Sequence, residues 1–300
     1  MDGRVALVTG ATGGIGKAIA TALAREGATV VVVGRSTARA EEAMRDIRNA
    51  VPTATLEPIA CDVSSQASIR TAANEFLSRH DKLDVPVNAA GVFRKERHLT
   101  PDGLELTFAT NVMAYFLLTN LLLDALQRAA SAGVAPNAPG ASDAADLPES
   151  TLKTARVVNI ASRYSNTKID FEDLQSAKGQ YSFLRSTPPT MLARVLLTQE
   201  FAGRLQGTGV VVNAMHPGLV KDTALLQDVG GPFRWLTNSF GKSADKAVDT
   251  AVWLATSPEA AAVSGKFWSK RKEQPTPGQG SDPEARKRLW DECVRLSQLT

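Results

Sequence analysis

The chain is poor in the residues that build disulfide or metal frameworks. Its 300 residues hold two cysteines, Cys61 and Cys293, too far apart in sequence for a disulfide scaffold or a zinc knuckle. The three histidines, His80, His98 and His216, show no ligand spacing, so no metal site is expected. No apolar run reaches the length of a membrane span. A strand-like segment begins at Arg4 with no signal-peptide pattern before it, so the expectation is a cytoplasmic protein without a stable membrane anchor. Charge of one sign is also lacking. Lys plus Arg number 34 against 31 Asp plus Glu, and without a dense basic run the net +3 argues against nucleic acid as a partner.

What is present is a core. Hydrophobic residues make up 43% of the chain and charged residues 22%, which excludes wholesale disorder. Short β-branched runs alternate with helical periodicity. Residues 4–9 (RVALVT), 29–33, 55–60 and 83–88 read as strands, and 15–27, 37–50 and 65–79 as helices, the last capped by Ser64 or Ser65. A long helix is expected over 104–130, strands over 155–160 and 209–215, and a helix from Thr187 between them. This alternation predicts parallel βαβ units, hence an α/β doubly wound sheet covered on both faces. Residues 1–300 read as one domain with three appendages. These are a flexible, weakly apolar insertion at 131–150, a loop at about 219–243, and a C-terminal tail at 270–300 with an amphipathic helix over 283–299.

A glycine cluster, Thr9-Gly10-Ala11-Thr12-Gly13-Gly14-Ile15-Gly16, sits at the first strand–helix junction. Glycines there let the backbone turn tightly and approach a pyrophosphate, whose charge meets the helix N-terminus. In this position the cluster points to a dinucleotide held by Gly10, Thr12, Gly14, Ile15 and Gly16, and the sheet is of Rossmann type. The end of the second strand, where an NAD site places an acid, carries Gly34-Arg35-Ser36 instead, and Lys17 follows the glycine loop. Arg35 and Lys17 could both meet a 2′-phosphate, which favours NADP(H).

Taken together, these motifs resemble the short-chain dehydrogenase/reductase superfamily. Thr9 to Gly16 looks like its TGxxxGxG, Asp62-Val63 like its adenine-contacting pair, and Asn88-Ala89-Ala90-Gly91 like its NNAG motif. Asn111 matches the family's active-site asparagine and Ser162 its catalytic serine. Pro217-Gly218 matches the loop after strand six, and Thr223 stands one residue late for the family's contact to the nicotinamide carboxamide. The segments around Asp102-Gly103-Leu104, Phe116-Leu117-Leu118 and Phe171-Glu172-Asp173 resemble the retinol-dehydrogenase-like branch.

The resemblance implies an acid–base tyrosine and, four residues on, a lysine that lowers its pKa and holds the nicotinamide ribose. In the register of the branch's SKLANVLFTREL segment, those places are held by Thr187 and Met191. A threonine hydroxyl is far too weak an acid to hand over a proton near neutral pH, and a thioether carries no charge to tune one. Thr187-Pro188-Pro189 reads as a helix start, with Thr187 as the N-cap. Tyr164 and Tyr115 are the other tyrosines that could line the pocket, while Tyr181 reads as a packing residue and His216 as shaping the loop before Pro217. Ser162 keeps its implied role as a donor to a substrate oxygen, and no G-x-S-x-G surrounds it to suggest a hydrolase.

Three functions stay open on this reading. One is an NADP(H)-dependent reductase of a conjugated carbon–carbon double bond or an iminium, in which Ser162 and Thr187 polarise the carbonyl. The second is a redox-neutral cyclase, isomerase or dehydratase, and the third a non-catalytic dinucleotide-binding protein. The loop at 219–243 carries Leu225, Leu226, Phe233, Trp235, Leu236 and Phe240, which predicts a hydrophobic small-molecule substrate. The resemblance also implies a homo-oligomer.

Overall fold

The computed structural model describes residues 1–131, 154–164, 167–220 and 243–299. The insertion at 131–150, apart from Ser131, and most of the loop at 219–243 lie outside the described residues, with Thr223 and the apolar side chains named above among them. Eight strands form one sheet: β1 (Val5–Thr9), β2 (Thr29–Gly34), β3 (Leu56–Ala60), β4 (Val85–Asn88), β5 (Ala155–Ile160), β6 (Val210–Met215), β7 (Phe267–Ser269) and β8 (Lys272–Gln274). Their order is β3-β2-β1-β4-β5-β6-β7-β8, parallel throughout except that β8 returns antiparallel to β7. The valine runs of β1 and β2 are buried on both faces because helices cover both, as a parallel sheet requires. This is a doubly wound α/β fold.

Helices α1 (Gly14–Arg25), α2 (Thr37–Ala50) and α3 (Gln66–Arg79) follow the first three strands, and Ser36 and Ser65 cap α2 and α3 by accepting from Arg39 and Ser68 N–H. The strand order reverses between β1 and β4. The chain leaves those two strands in opposite directions, and the crevice between their C-terminal ends is where such sheets bind ligands.

Two expected helices differ from the sequence reading. The long helix over 104–130 is broken into α4 (Leu106–Phe108), a π-helical turn (Ala109–Met113), α5 (Ala114–Leu121) and α6 (Leu123–Ser131), with a bend of 53° at Leu122. Helix α7 (Phe183–Arg204) begins four residues before Thr187, so Ser182 holds the N-cap position and Thr187, Pro188 and Pro189 lie inside the helix. The two prolines leave the carbonyls of Leu184 and Arg185 without helical donors. Both of those residues are exposed, so the loss does not fall in the core.

After α8 (Ala244–Ala247) and α9 (Asp249–Thr256), the C-terminal segment closes the molecule. Lys270 and Arg271 adopt positive φ to turn β7 into β8. Helix α10 (Pro283–Ser297) lays Trp290 edge-on against Phe116 and Phe201, with the Arg204 guanidinium over its face at 4.2 Å. The amphipathic tail packs on the body. Among the described residues no single helix is long and apolar enough to cross a membrane.

Candidate active site

The glycine loop is shaped by contacts that no side chain would permit. Gly10 has φ +66°, and a Cβ there would lie 2.9 Å from the Ala90 Cα. A Cβ on Gly16 would stand 2.3 Å from the Gly10 carbonyl oxygen, so α1 can start this close to the loop only with glycine. Helix α1 has no side-chain cap and no acid in its first turn. Its first N–H groups are therefore left without a side-chain cap at the crevice, a ready anion site. The crevice is a cleft of about 550 Å³, lined at this point by Gly10, Thr12, Gly14, Ile15 and Gly16. These residues fit a pyrophosphate.

At one end the cleft is lined by Val33, Gly34, Arg35, Arg39, Cys61, Asp62 and Val63. Asp62 Oδ1 accepts from the N–H and hydroxyl of Ser64, which fixes the turn after β3. Burial pushes the Cys61 thiol up to about 11, the bond to Ser68 opposing and the Asp62 charge reinforcing the shift. Lys17 is not in the lining. Its ammonium pairs with Asp46 of α2 at 2.7 Å, because one turn into α1 its side chain projects toward the neighbouring helix. The cation beside Arg35 is Arg39. It follows Ser36 by three residues on α2, a spacing that could have flagged it.

The other end is built around β4, β5 and α7. Asn88 does not reach the cleft. Its side chain donates to Asn159 Oδ1 at 2.8 Å and Thr119 Oγ1 at 3.3 Å, tying β4 to β5 and α5 inside the core. Ala89, Ala90 and Gly91 do line the cleft, and Thr9 Oγ1 holds them by accepting the N–H groups of Ala89 and Ala90. Asn111 is fully buried in the π turn and grips both backbone polar groups of Val92. It shapes this wall and is absent from the lining.

Ser162, Met191 and Pro217 line this end, while Gly218, at φ +84°, lies behind Pro217 and out of the lining. Thr187 is also out of the lining. It is fully buried, and its hydroxyl has no partner among the described residues, since the early start of α7 turns it into the core. None of the three tyrosines lines the cleft. Tyr115 is buried with its hydroxyl donating to the carbonyls of Ala90 and Ile160, and burial pushes its pKa up to about 12. Tyr164 is half-buried, also raised by burial, and outside the lining, and Tyr181 is bonded to Glu105 and Thr107. Burial lowers the His216 pKa, with Arg163 adding to the effect, and its Nδ1 has no partner among the described residues.

The residue the sequence reading passed over is Arg194. Its guanidinium donates from Nε to the Asn111 carbonyl at 2.7 Å, from Nη1 to the Ile160 carbonyl at 2.6 Å, and from Nη2 to the Ala90 carbonyl at 2.8 Å and Asn111 Oδ1 at 3.2 Å. It lines the cleft beside Met191 and stacks on Tyr115. Gly91 is what admits it, since a Cβ there would meet Arg194 Nη2 at 3.2 Å. The signal was available: Arg194 lies three residues after Met191, on the same helix face, where the SKLAN segment has asparagine.

A family model described as short chain dehydrogenase matches residues 4–136, the N-terminal part that carries the glycine loop. Retinol dehydrogenase 13 of Homo sapiens is 34% identical over 311 residues, covering 100% of this chain and 86% of its own length. Retinol dehydrogenase 14 of Mus musculus is likewise 34% identical, over 97% of this chain and 85% of its own. This chain belongs to the short-chain dehydrogenase/reductase superfamily, in its retinol-dehydrogenase-like branch. Solved structures agree on the fold. An uncharacterized protein from Mycobacterium paratuberculosis superposes with a TM-score of 0.74 at 24% identity, covering 99% of this chain and 94% of its own. The 3-ketoacyl-(acyl-carrier-protein) reductase of Brucella melitensis, complexed with NADH, gives 0.65 at 24% identity over 89% of this chain and 96% of its own. Superfamily membership and the uncapped α1 loop together assign the cleft to a nicotinamide dinucleotide.

Proposed function

We propose that this protein is an NADP(H)-dependent reductase of apolar small molecules that works without a tyrosine–lysine pair. Its target would be a double bond conjugated to a carbonyl, or an iminium. The observation that carries the reading is the lining beyond Pro217. Ser162, Met191 and Arg194 stand there, with no tyrosine or lysine among the described lining residues.

The glycine loop and the α1 N-terminus would hold the pyrophosphate, Asp62 and Val63 the adenine, and Arg35 and Arg39 a 2′-phosphate. When bound, the reduced dinucleotide supplies a hydride. Ser162 would donate to the carbonyl oxygen of the substrate. Met191 offers apolar contact and no proton. A carbonyl reduced directly needs an acid at the oxygen that becomes an alcohol, and such acids contribute roughly 10²–10⁴-fold. A conjugated double bond demands less there, because water can supply the proton at carbon. The substrate would be met in the cytoplasm.

The test follows NADPH absorbance with enones, cyclic imines and aldehydes, all-trans-retinal included. We expect enone or imine turnover with aldehydes slower by about 10²-fold or more. Aldehyde reduction as fast as that of the best enone would overturn the reading. So would product formation without consumption of NADPH, which marks a redox-neutral enzyme.

A further inference from the structure

We infer that the end of the cleft at Arg194 and Thr110 is a carboxylate subsite, and that the substrate is an apolar acid. The inference rests on the cleft assignment above and gives the proposed substrate a charged head.

Arg194 is 3% exposed and lines the cleft. A guanidinium has five N–H donors, and four here go to the three carbonyls and the Asn111 side chain. None of these acceptors is ionised. Dipoles and the Tyr115 ring satisfy the donors but leave the buried positive charge without a counter-ion among the described residues, a costly arrangement unless an anion arrives. One Nη1 N–H remains to meet it.

A second observation points to the same place. Thr110, next to Asn111 in the π turn, is also 3% exposed and lines the cleft, yet its hydroxyl has no partner among the described residues. A buried hydroxyl on a cleft-lining residue, with no bond among the described residues, is a donor left for a ligand that reaches it. The described lining as a whole leans the same way, with four arginines, Arg35, Arg39, Arg94 and Arg194, against the single carboxylate of Asp62. Arg35, Arg39 and Asp62 belong to the adenine end, which leaves Arg194 as the cation of the described lining beside Met191. Phe93, Leu106 and Met191 supply the apolar wall. A purely structural strut would account for the four bonds, but not for Thr110 or for the choice of a charged donor.

The test titrates cinnamate and benzoate, with cinnamamide and benzamide as neutral matches, into the full chain, with and without NADP⁺, by calorimetry. We expect each acid to bind about tenfold tighter than its amide or better. Arg194→Gln should abolish the preference, and Arg194→Lys should keep part of it. Thr110→Val leaves the guanidinium in place and should weaken the acids alone, by about threefold to tenfold; it carries the test if the Arg194 variants do not fold. Equal binding of acid and amide, no binding of either at millimolar concentration, or a preference untouched by every variant would overturn the inference. NADPH consumption is not a readout here. A carboxylate preference without enone reduction would sink the proposed reaction and leave this subsite standing, and the reverse result would do the opposite.

Discussion

Arg194 and Tyr115 share their acceptors. The guanidinium lies 3.9 Å from the centroid of the phenol ring, and both residues donate to the same two carbonyls, those of Ala90 and Ile160. These carbonyls end β5 and follow β4, so the pair fastens the two strands whose loops form the inner wall of the cleft. The proton of Tyr115 is committed to this junction.

The two residues should therefore respond differently to removal. Tyr115→Phe leaves Arg194 on both carbonyls and should cost about 0.5–1.5 kcal/mol of stability, with turnover retained. Arg194→Met strips donors from three buried carbonyls and should cost about 2–4 kcal/mol. Urea unfolding of both variants compares them. Equal losses would mean that the guanidinium does not hold the wall.

Cofactor choice should follow the arginines of α2 and its entry loop. Arg35→Ala and Arg39→Ala are each expected to weaken NADPH binding by about tenfold, with NADH affinity nearly unchanged. Lys17→Ala should change neither, since its ammonium is spent on Asp46 at an exposed pair worth little. Fluorescence titration with both reduced cofactors measures this, and a Lys17 variant that discriminates between them would contradict the geometry.

Thr187 carries a buried hydroxyl with nothing to bond. Thr187→Val should raise stability by about 1 kcal/mol, because an unpaired polar group leaves the core. Turnover should stay within about twofold of the parent, since the residue does not line the cleft. A dead but stable Val variant would return Thr187 to the chemistry.

Alkaline stability should report on Cys61. Its thiol is raised by burial from about 9 to about 11, so the folded state holds a proton that the unfolded state releases first. The stabilisation is complete below about pH 9 and is lost as pH rises toward 11, about 2–3 kcal/mol in all. Cys61→Ala should reduce the fall between pH 9 and 10 and leave the part due to Cys293, whose thiol burial also raises, before Tyr115, raised to about 12, begins to matter. Unfolding free energies across that interval decide it, and an unchanged slope would remove the thiol from the account.

The tight turns of the glycine loop are legible in the sequence because their information is local. Gly10 and Gly16 are read off one turn of chain, and the backbone approach they allow involves the loop itself and its neighbour at Ala90. The side chain of Asn88 goes elsewhere for the opposite reason. Its motif position said cofactor, while its partners, Thr119 and Asn159, come from elements 31 and 71 residues away. The proline pair in α7 likewise suggested a helix start, since local propensity favours it there, but the helix extends one turn further back to Phe183.

By itself the sequence determined the parallel sheet, through valine runs that only a doubly covered strand can bury, and the anion-binding turn, through glycines at fixed offsets from a strand. Only the tertiary structure decided which cations face the cleft. Lys17 and Arg194 are both helical residues, and nothing in local sequence says that one meets a carboxylate on the next helix while the other is drawn inward. The difference lies in what surrounds each end point: an exposed Asp46 in one case, and in the other the carbonyl ends of two strands and a π turn, brought together across 34 to 104 residues of chain.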